Sequence, residues 1–398
     1  MKEHRAGLDG TLSAFTEELF AQLPRADQRR WARSYLQGLL ATPGKKSVRR
    51  LAASVSSSPT ASQSLQQFVN ASPWDWEPTR RQLIRVAERH GWARAWVIET
   101  AVLPKRGDHS CGVHRRFVPS VGRTVNCQLG IGAFLSSESG DLPVDWRLLL
   151  PEQWGDDTRL CERARVPESA RSLPLWAHVI DLVENLAAHT SFPAVPVVTD
   201  VSDYPEGVCL LDQLSRLGRD FVVSVPLDLP VLPAHSRPSG ARRDATDAQG
   251  ALDVRRFLQW HGTRHPYAVT FTTPGRQQQQ VRVVSGLVRL PGSRHTYRVF
   301  AEQPSEGDRP LRVWITSLVD RDIEHLTALA RMHSGTVSTL RSLEADYGLL
   351  DFEGRSFPGW HHHMTLVSAA YAYSRLFSTP GQSPQLDVYR RTSDLYHV

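Results

Sequence analysis

The chain has 398 residues, enough to bury a large core in two or three domains, and its apolar and charged fractions are those of an ordinary soluble protein. The net charge of +6 is small for this length, but its excess is arginine rather than lysine, which suits bidentate contact with phosphates. Cys111, Cys127, Cys161 and Cys209 lie far apart with no CxxC pair, which argues against a zinc knuckle or a disulfide framework. No apolar run reaches membrane-spanning length and the charged N-terminus lacks a signal-peptide pattern, so a cytoplasmic, nucleoid-associated protein is expected.

Residues 1–90 read as a helical DNA-binding domain. Apolar residues recur at helical spacing over 12–20 and over 29–40, the second with basic residues between them. A basic stretch follows with Lys45, Lys46, Arg49 and Arg50, then a Ser/Pro/Thr turn and a short helix over 61–69. Two short helices around a polar turn resemble a helix-turn-helix layout.

Residues 91–229 read as the first part of an α/β core. The run Trp96, Val97, Ile98, Glu99, Thr100 is a buried-strand pattern ending in a carboxylate, followed by Lys105 and Arg106. A second strand is expected over 126–133 and an amphipathic helix over 176–189. That helix leads into another apolar strand ending in an acid, Asp200. A helix over 210–217 and a strand over 221–225 complete an alternating pattern with the strands in one sheet. Residues 230–318 begin crowded with Pro, Arg, Ser and Gly, carry a Gln tract at 277–280, and then alternate as strands over 281–288, 296–300 and 312–316. This reads as a β-rich insertion. Residues 319–398 return to helix and complete the core.

Three segments carry a family resemblance: Asn126-Cys127-Gln128-Leu129-Gly130, the stretch 142–154 (LPVDWRLLLPEQW), and the stretch 352–363 (FEGRSFPGWHHH). In this order and at these distances they resemble the insertion-sequence-701-type transposases of the DDE superfamily. The resemblance implies an RNase H-like core, a mixed sheet flanked by helices, with a β-rich insertion before the last catalytic helix. It also implies three carboxylates holding two Mg²⁺ ions for strand cleavage and transfer.

The acids implied by the family are incomplete here. Relatives read Asp-Asp-Thr-Gly where this chain reads Glu99, Thr100, Ala101, Val102. The ligand position then falls on Thr100, and strand alternation would turn Glu99 to the other face. Asp200 is retained, although the residues after it differ from the family's Asp-Ala-Gly-Tyr-Gly. The helical arginine, glutamate and lysine of the family fall on His333, Val337 and Glu344. Glu344 sits about 10 Å beyond the glutamate position and is no substitute. Glu353 offers an alternative acid. His361, His362 and His363 point three ways on a helix and read as a helix-start or DNA-backbone feature.

The expectation is a transposase-derived protein that binds double-stranded DNA with a decayed nuclease centre, as a regulator or architectural protein, with no cofactor. A homodimer is compatible with it. Phosphate contacts are expected from Lys45, Lys46, Arg49, Arg50, Lys105, Arg106, Arg115, Arg116 and Arg355. One alternative is an active transposase using Mg²⁺ with Glu99, Asp200 and Glu353. Another is a protein-interaction scaffold.

Overall fold

The computed structural model describes residues 2–91, 93–119, 121–170, 172–191, 195–204, 206–234, 250–261, 266–272, 278–303 and 312–377. Most of the Pro/Arg/Ser/Gly-crowded start of the expected insertion, and Gln277 of the Gln tract, lie outside them.

Five helices open the chain: α1 (Lys2–Leu19), α2 (Ala26–Ala41), α3 (Val48–Val55), α4 (Ala61–Asn70) and α5 (Glu77–His90). Leu36, Leu39, Leu51, Leu65, Phe68, Leu83 and Ile84 form the buried stripes that hold them together. Then come β1 (Ala95–Pro104), β2 (His114–Val118), β3 (Arg123–Ser137) and β4 (Gly140–Leu148), followed by α6 (Gln153–Asp156), α7 (Thr158–Ala164) and α8 (Leu175–His189). Next are β5 (Val197–Asp200), α9 (Gly207–Arg216), β6 (Phe221–Val225), β7 (Pro230–Pro233), β8 (Leu252–Asp253) and α10 (Val254–His261). The chain continues through β9 (Tyr267–Thr272), β10 (Gln278–Arg289), β11 (Thr296–Glu302), β12 (Val313–Thr316), α11 (Ile323–Asp346) and α12 (Phe357–Phe377).

The described strands join in one sheet of order β2-β3-β1-β5-β6-β12-β11-β10-β7-β8, with β4 paired to β3 and β9 to β10. β1, β5 and β6 run parallel, and β3 and β12 flank them antiparallel, so the sheet is mixed. The strands of the expected insertion extend this same sheet through β12. One expectation needs correction. Strand and helix do not alternate from the start of the core. β1, β3 and β4 are joined as antiparallel neighbours first, and the β3–β4 turn closes at Gly140, whose φ of 129° suits glycine. Alternation begins only at α8.

α11 packs across β1, β3, β5 and β6. α12 lies against β4 and against α2, α4 and α5. Its first turns carry the three histidines, all buried. His361 stacks on Trp76, with ring centroids 4.5 Å apart, and meets Arg80 Nη2 at 3.1 Å. His362 lies between the carbonyls of Val69 (2.9 Å) and Trp74 (2.8 Å) and stacks on the Trp74 ring. His363 Nδ1 meets the Tyr35 hydroxyl at 3.0 Å and its Nε2 meets Gly348 O at 2.9 Å. The helix-start part of the expectation holds, but burial closes these rings to any DNA backbone. Below them Arg80 and Asp145, 1% and 0% exposed, pair at 2.8 Å. Arg147 (2.9 Å) and Asn185 (2.7 Å) complete the carboxylate's partners. The LPVDWRL and GWHHH segments therefore build this core.

Candidate active site

The parallel register sets Trp96 beside Val197, Val97 beside Val198 and Ile98 beside Thr199, so one step further Glu99 stands level with Asp200. Asp200 stands in turn beside Ser224 on β6, and Ser224 beside Trp314 on β12. Strand alternation places level residues of adjacent strands on one face. Glu99, Asp200, Ser224 and Trp314 thus form a row beneath α11. On the other side of β1, Glu99 is level with Gly132 of β3. A Cβ at Gly132 would lie 2.8 Å from the Trp146 indole, so only glycine admits that ring.

The face assigned to Thr100 from alternation alone is therefore corrected. Glu99 turns toward α11 with Asp200, while Thr100 turns away and bonds the Tyr204 side chain. The strand patterns gave the right neighbours. The starting face was counted from the family's second Asp, one residue too late.

Both acids are occupied by cations or donors of the chain itself. Glu99 Oε2 meets Nε2 of His333, on α11, and Glu99 Oε1 accepts the Thr100 N–H at 2.8 Å. Asp200 Oδ2 pairs with Arg312 Nη2 at 3.2 Å, and Asp200 Oδ1 accepts the Ser202 N–H at 2.9 Å. Arg312 Nη1 lies 3.4 Å from His333 Nδ1, which joins the two halves. Glu99 Oε2 and His333 Nε2 lie in ion-pair contact, though neither atom has a hydrogen-bond partner of good geometry among the described residues. Burial pushes the Asp200 carboxyl up, but Arg312, His333 and the Ser202 bonds together hold it below the usual carboxylate range. The Trp314 ring closes one side, 5.8 Å from His333. Beside Asp200 the buried Ser224 Oγ has no hydrogen-bond partner among the described residues.

Of the other expected site residues, Val337 is half-buried on α11, four residues beyond His333 and about 6 Å further along the axis. Glu353 is not brought to Asp200. It pairs with Lys45 at 3.5 Å beyond the end of β1. Glu344 is half-buried, and burial pushes its carboxyl up to about 7.

The expected phosphate contacts divide. Arg49, Arg50, Arg106, Arg115 and Arg355 are exposed. Arg116 lies over the Tyr204 ring, 4.8 Å from its centroid. Lys45 is exposed but paired with Glu353. Lys46 is a correction: it is 4% exposed, its Nζ donates to Thr42 O and its N–H to Asp351, so no backbone phosphate reaches it. Lys105 is withdrawn in the same way, its Nζ donating to Phe352 O at 2.8 Å.

A mixed sheet with two acids level on neighbouring parallel strands, beneath a long helix, is the frame of an RNase H-like nuclease. A family model described as DDE superfamily endonuclease matches residues 18–289, and the chain belongs to that family. The match stops before Arg312, His333 and Val337. No curated protein matches the chain. Nucleases of this superfamily normally use divalent metal. The residues here do not fit a metal pair. Glu99 and Asp200 already face His333 and Arg312, and no three described His, Cys, Asp or Glu residues come together to hold an ion. No described helix is long and apolar enough to cross a membrane.

Sequence reasoning named Glu99, Asp200 and His333 but missed their pairing, and it missed Arg312 altogether. The one available signal was the resemblance itself, which would set His333 on the helix expected to face the acids.

Proposed function

We propose that this protein is a DDE-derived DNA-binding protein that does not cut DNA, serving as a regulator or architectural protein. The observation that carries the reading is the chain Asp200–Arg312–His333–Glu99. In a two-metal nuclease the acids exist to hold cations that activate water and stabilise the leaving oxygen. Here an arginine and a histidine of the same chain stand at the two acids. Neither presents a bound water for attack, and Val337 adds no charge.

DNA affinity is supported by the exposed Arg49 and Arg50 on α3 and by Arg106, Arg115 and Arg355. Such contacts release counterions, so log K should fall with log salt by about 0.9 for each phosphate neutralised. The test is a duplex titration across salt, paired with incubation of supercoiled plasmid with Mn²⁺. Salt-sensitive binding without nicking is the expected result. Absence of duplex affinity even at low salt would instead favour a protein-interaction scaffold.

A second reading, an active transposase, is favoured by one observation: Glu99 and Asp200 remain level on adjacent strands. Nicking by the wild type that disappears in Asp200→Ala would establish it.

A further inference from the structure

A polar cavity of about 440 Å³ opens where β1 ends. Three stretches distant in sequence build it: Lys45 from the α2–α3 connection, Lys105, Arg106 and Ser110 after β1, and residues 350–355 before α12. Lys105 forms its inner wall. Its Nζ donates to Phe352 O at 2.8 Å and sits 5.7 Å from the Phe352 ring centroid. Among the described residues no carboxylate pairs with it.

Two acids line the cavity as well, each with a partner of its own. Asp351 Oδ2 accepts the Lys46 N–H at 2.6 Å, and Glu353 pairs with Lys45. Arg106 and Arg355 are exposed at the rim and have no ion-pair partner among the described residues. An ammonium drawn out of water with one carbonyl acceptor is costly unless an anion joins it. Burial accordingly holds the Lys105 amine down to about 8, with Asp351 and Glu353 acting the other way.

We propose that this cavity binds a phosphomonoester dianion, with Lys105 inside it and the guanidiniums of Arg106 and Arg355 at its mouth. The three terminal oxygens of such a group suit one ammonium and two planar forks. A phosphodiester in a duplex backbone reaches the rim but not the half-buried amine. The source is therefore a terminal phosphate on a nucleic-acid strand or free phosphate. Only the first source rests on the DNA-binding reading above.

Two measurements test this. The first acylates lysines in the wild-type protein with and without inorganic phosphate and reads Lys105 by mass spectrometry. The second compares blunt duplexes carrying 5′-phosphate, 3′-phosphate or hydroxyl ends by anisotropy. Phosphate should protect Lys105, and a phosphorylated end should bind on the order of tenfold tighter than a hydroxyl end. That preference should vanish in Arg355→Ala and in Lys105→Met, and should fade as pH rises past about 8, where the amine loses its proton. If phosphate leaves Lys105 labelling unchanged and all duplex ends bind alike, the cavity proposal is wrong while DNA binding stands. Protection by phosphate with no duplex affinity would sink the DNA reading and leave free phosphate as the ligand. The labelling uses unaltered protein, so a variant that misfolds does not blur the outcome.

Discussion

Two charged clusters flank the sheet, and they differ in depth. Around Asp145 the central pair is inside: Arg80 and the carboxylate are 1% and 0% exposed, and Trp146 N–H with the half-buried Arg147 and Asn185 fill the remaining acceptor sites. Around Asp200 the cluster is open on one side, since Arg312 is 45% exposed and Asp200 15%. In the first cluster the Arg80–Asp145 pair is buried against α12, and only Arg147 reaches toward the surface, where it meets the exposed Asp181. The second lies at the end of β5, where a nuclease of this fold would do its chemistry. The lesson is that a half-open ion pair at the end of a strand is not the same object as a buried structural pair, even when both join an arginine to an aspartate. One belongs to the packing, and the other faces solvent on one side.

The largest test of this difference is Arg80→Met. It leaves Asp145 buried with a lost partner, and a loss of about 3–5 kcal/mol is expected in urea unfolding. Arg147 near the same carboxylate keeps the loss toward the lower end. A loss comparable to that of a surface pair would erase the distinction between the clusters.

Next in size is acid sensitivity. Burial pushes His178 and His363 down to about 4 and His361 well below its ordinary value. His362 is likewise held to about 4 by burial, although the Val69 and Trp74 carbonyls pull the other way. In the unfolded chain these rings titrate near 6.5, so between there and 4 the unfolded state binds more protons. Stability from the neutral rings is full above pH 6.5 and is lost as pH falls toward 4. In His363→Gln the fall in stability between pH 7 and 4.5 should be shallower than in the wild type, by about 1 kcal/mol or more. Parallel pH curves would show that His363 is not held neutral.

The smallest stability effect is expected at the open cluster. Arg312→Gln should change unfolding free energy by less than about 1 kcal/mol, as for other exposed pairs. Its metal readout sharpens the comparison. Arg312→Ala combined with Val337→Glu frees Asp200 and adds a carboxylate on α11, and Mn²⁺ binding by electron paramagnetic resonance should appear there and not in the wild type. Wild-type binding that depends on Asp200 would overturn the view that Arg312 and His333 fill the site.

The sequence made the sheet frame legible where strand and acid coincided, at Glu99 and Asp200, because apolar runs of strand length constrain burial on both faces. It put Glu99 on the wrong face. Period-two alternation fixes relative directions only, and the absolute phase came from packing against α11. It also left Lys46 and Lys105 looking like free basic residues. Their burial comes from Asp351 and Phe352, which lie 305 and 247 positions away, beyond any local pattern. Arg312 was hidden for the same reason: beside a strand, an arginine has no sequence mark of the acid it will meet. The histidine run was legible as a helix start but not as three separate anchors.

Those anchors bear on the order in which the chain can fold. Tyr35, Val69 with Trp74, and Arg80 are tied to His363, His362 and His361, and Phe15 meets Tyr373 with ring centroids 5.4 Å apart. The first five helices therefore complete their core on nearly the last described residues. During synthesis they emerge first and wait longest. Such contacts bridge almost the whole sequence, which slows closure and prolongs the exposure of Trp74, Trp76 and Tyr35. A ribosome stalled before residue 357 would hold a chain whose first five helices have no lid, and such a nascent chain is where chaperone dependence should concentrate.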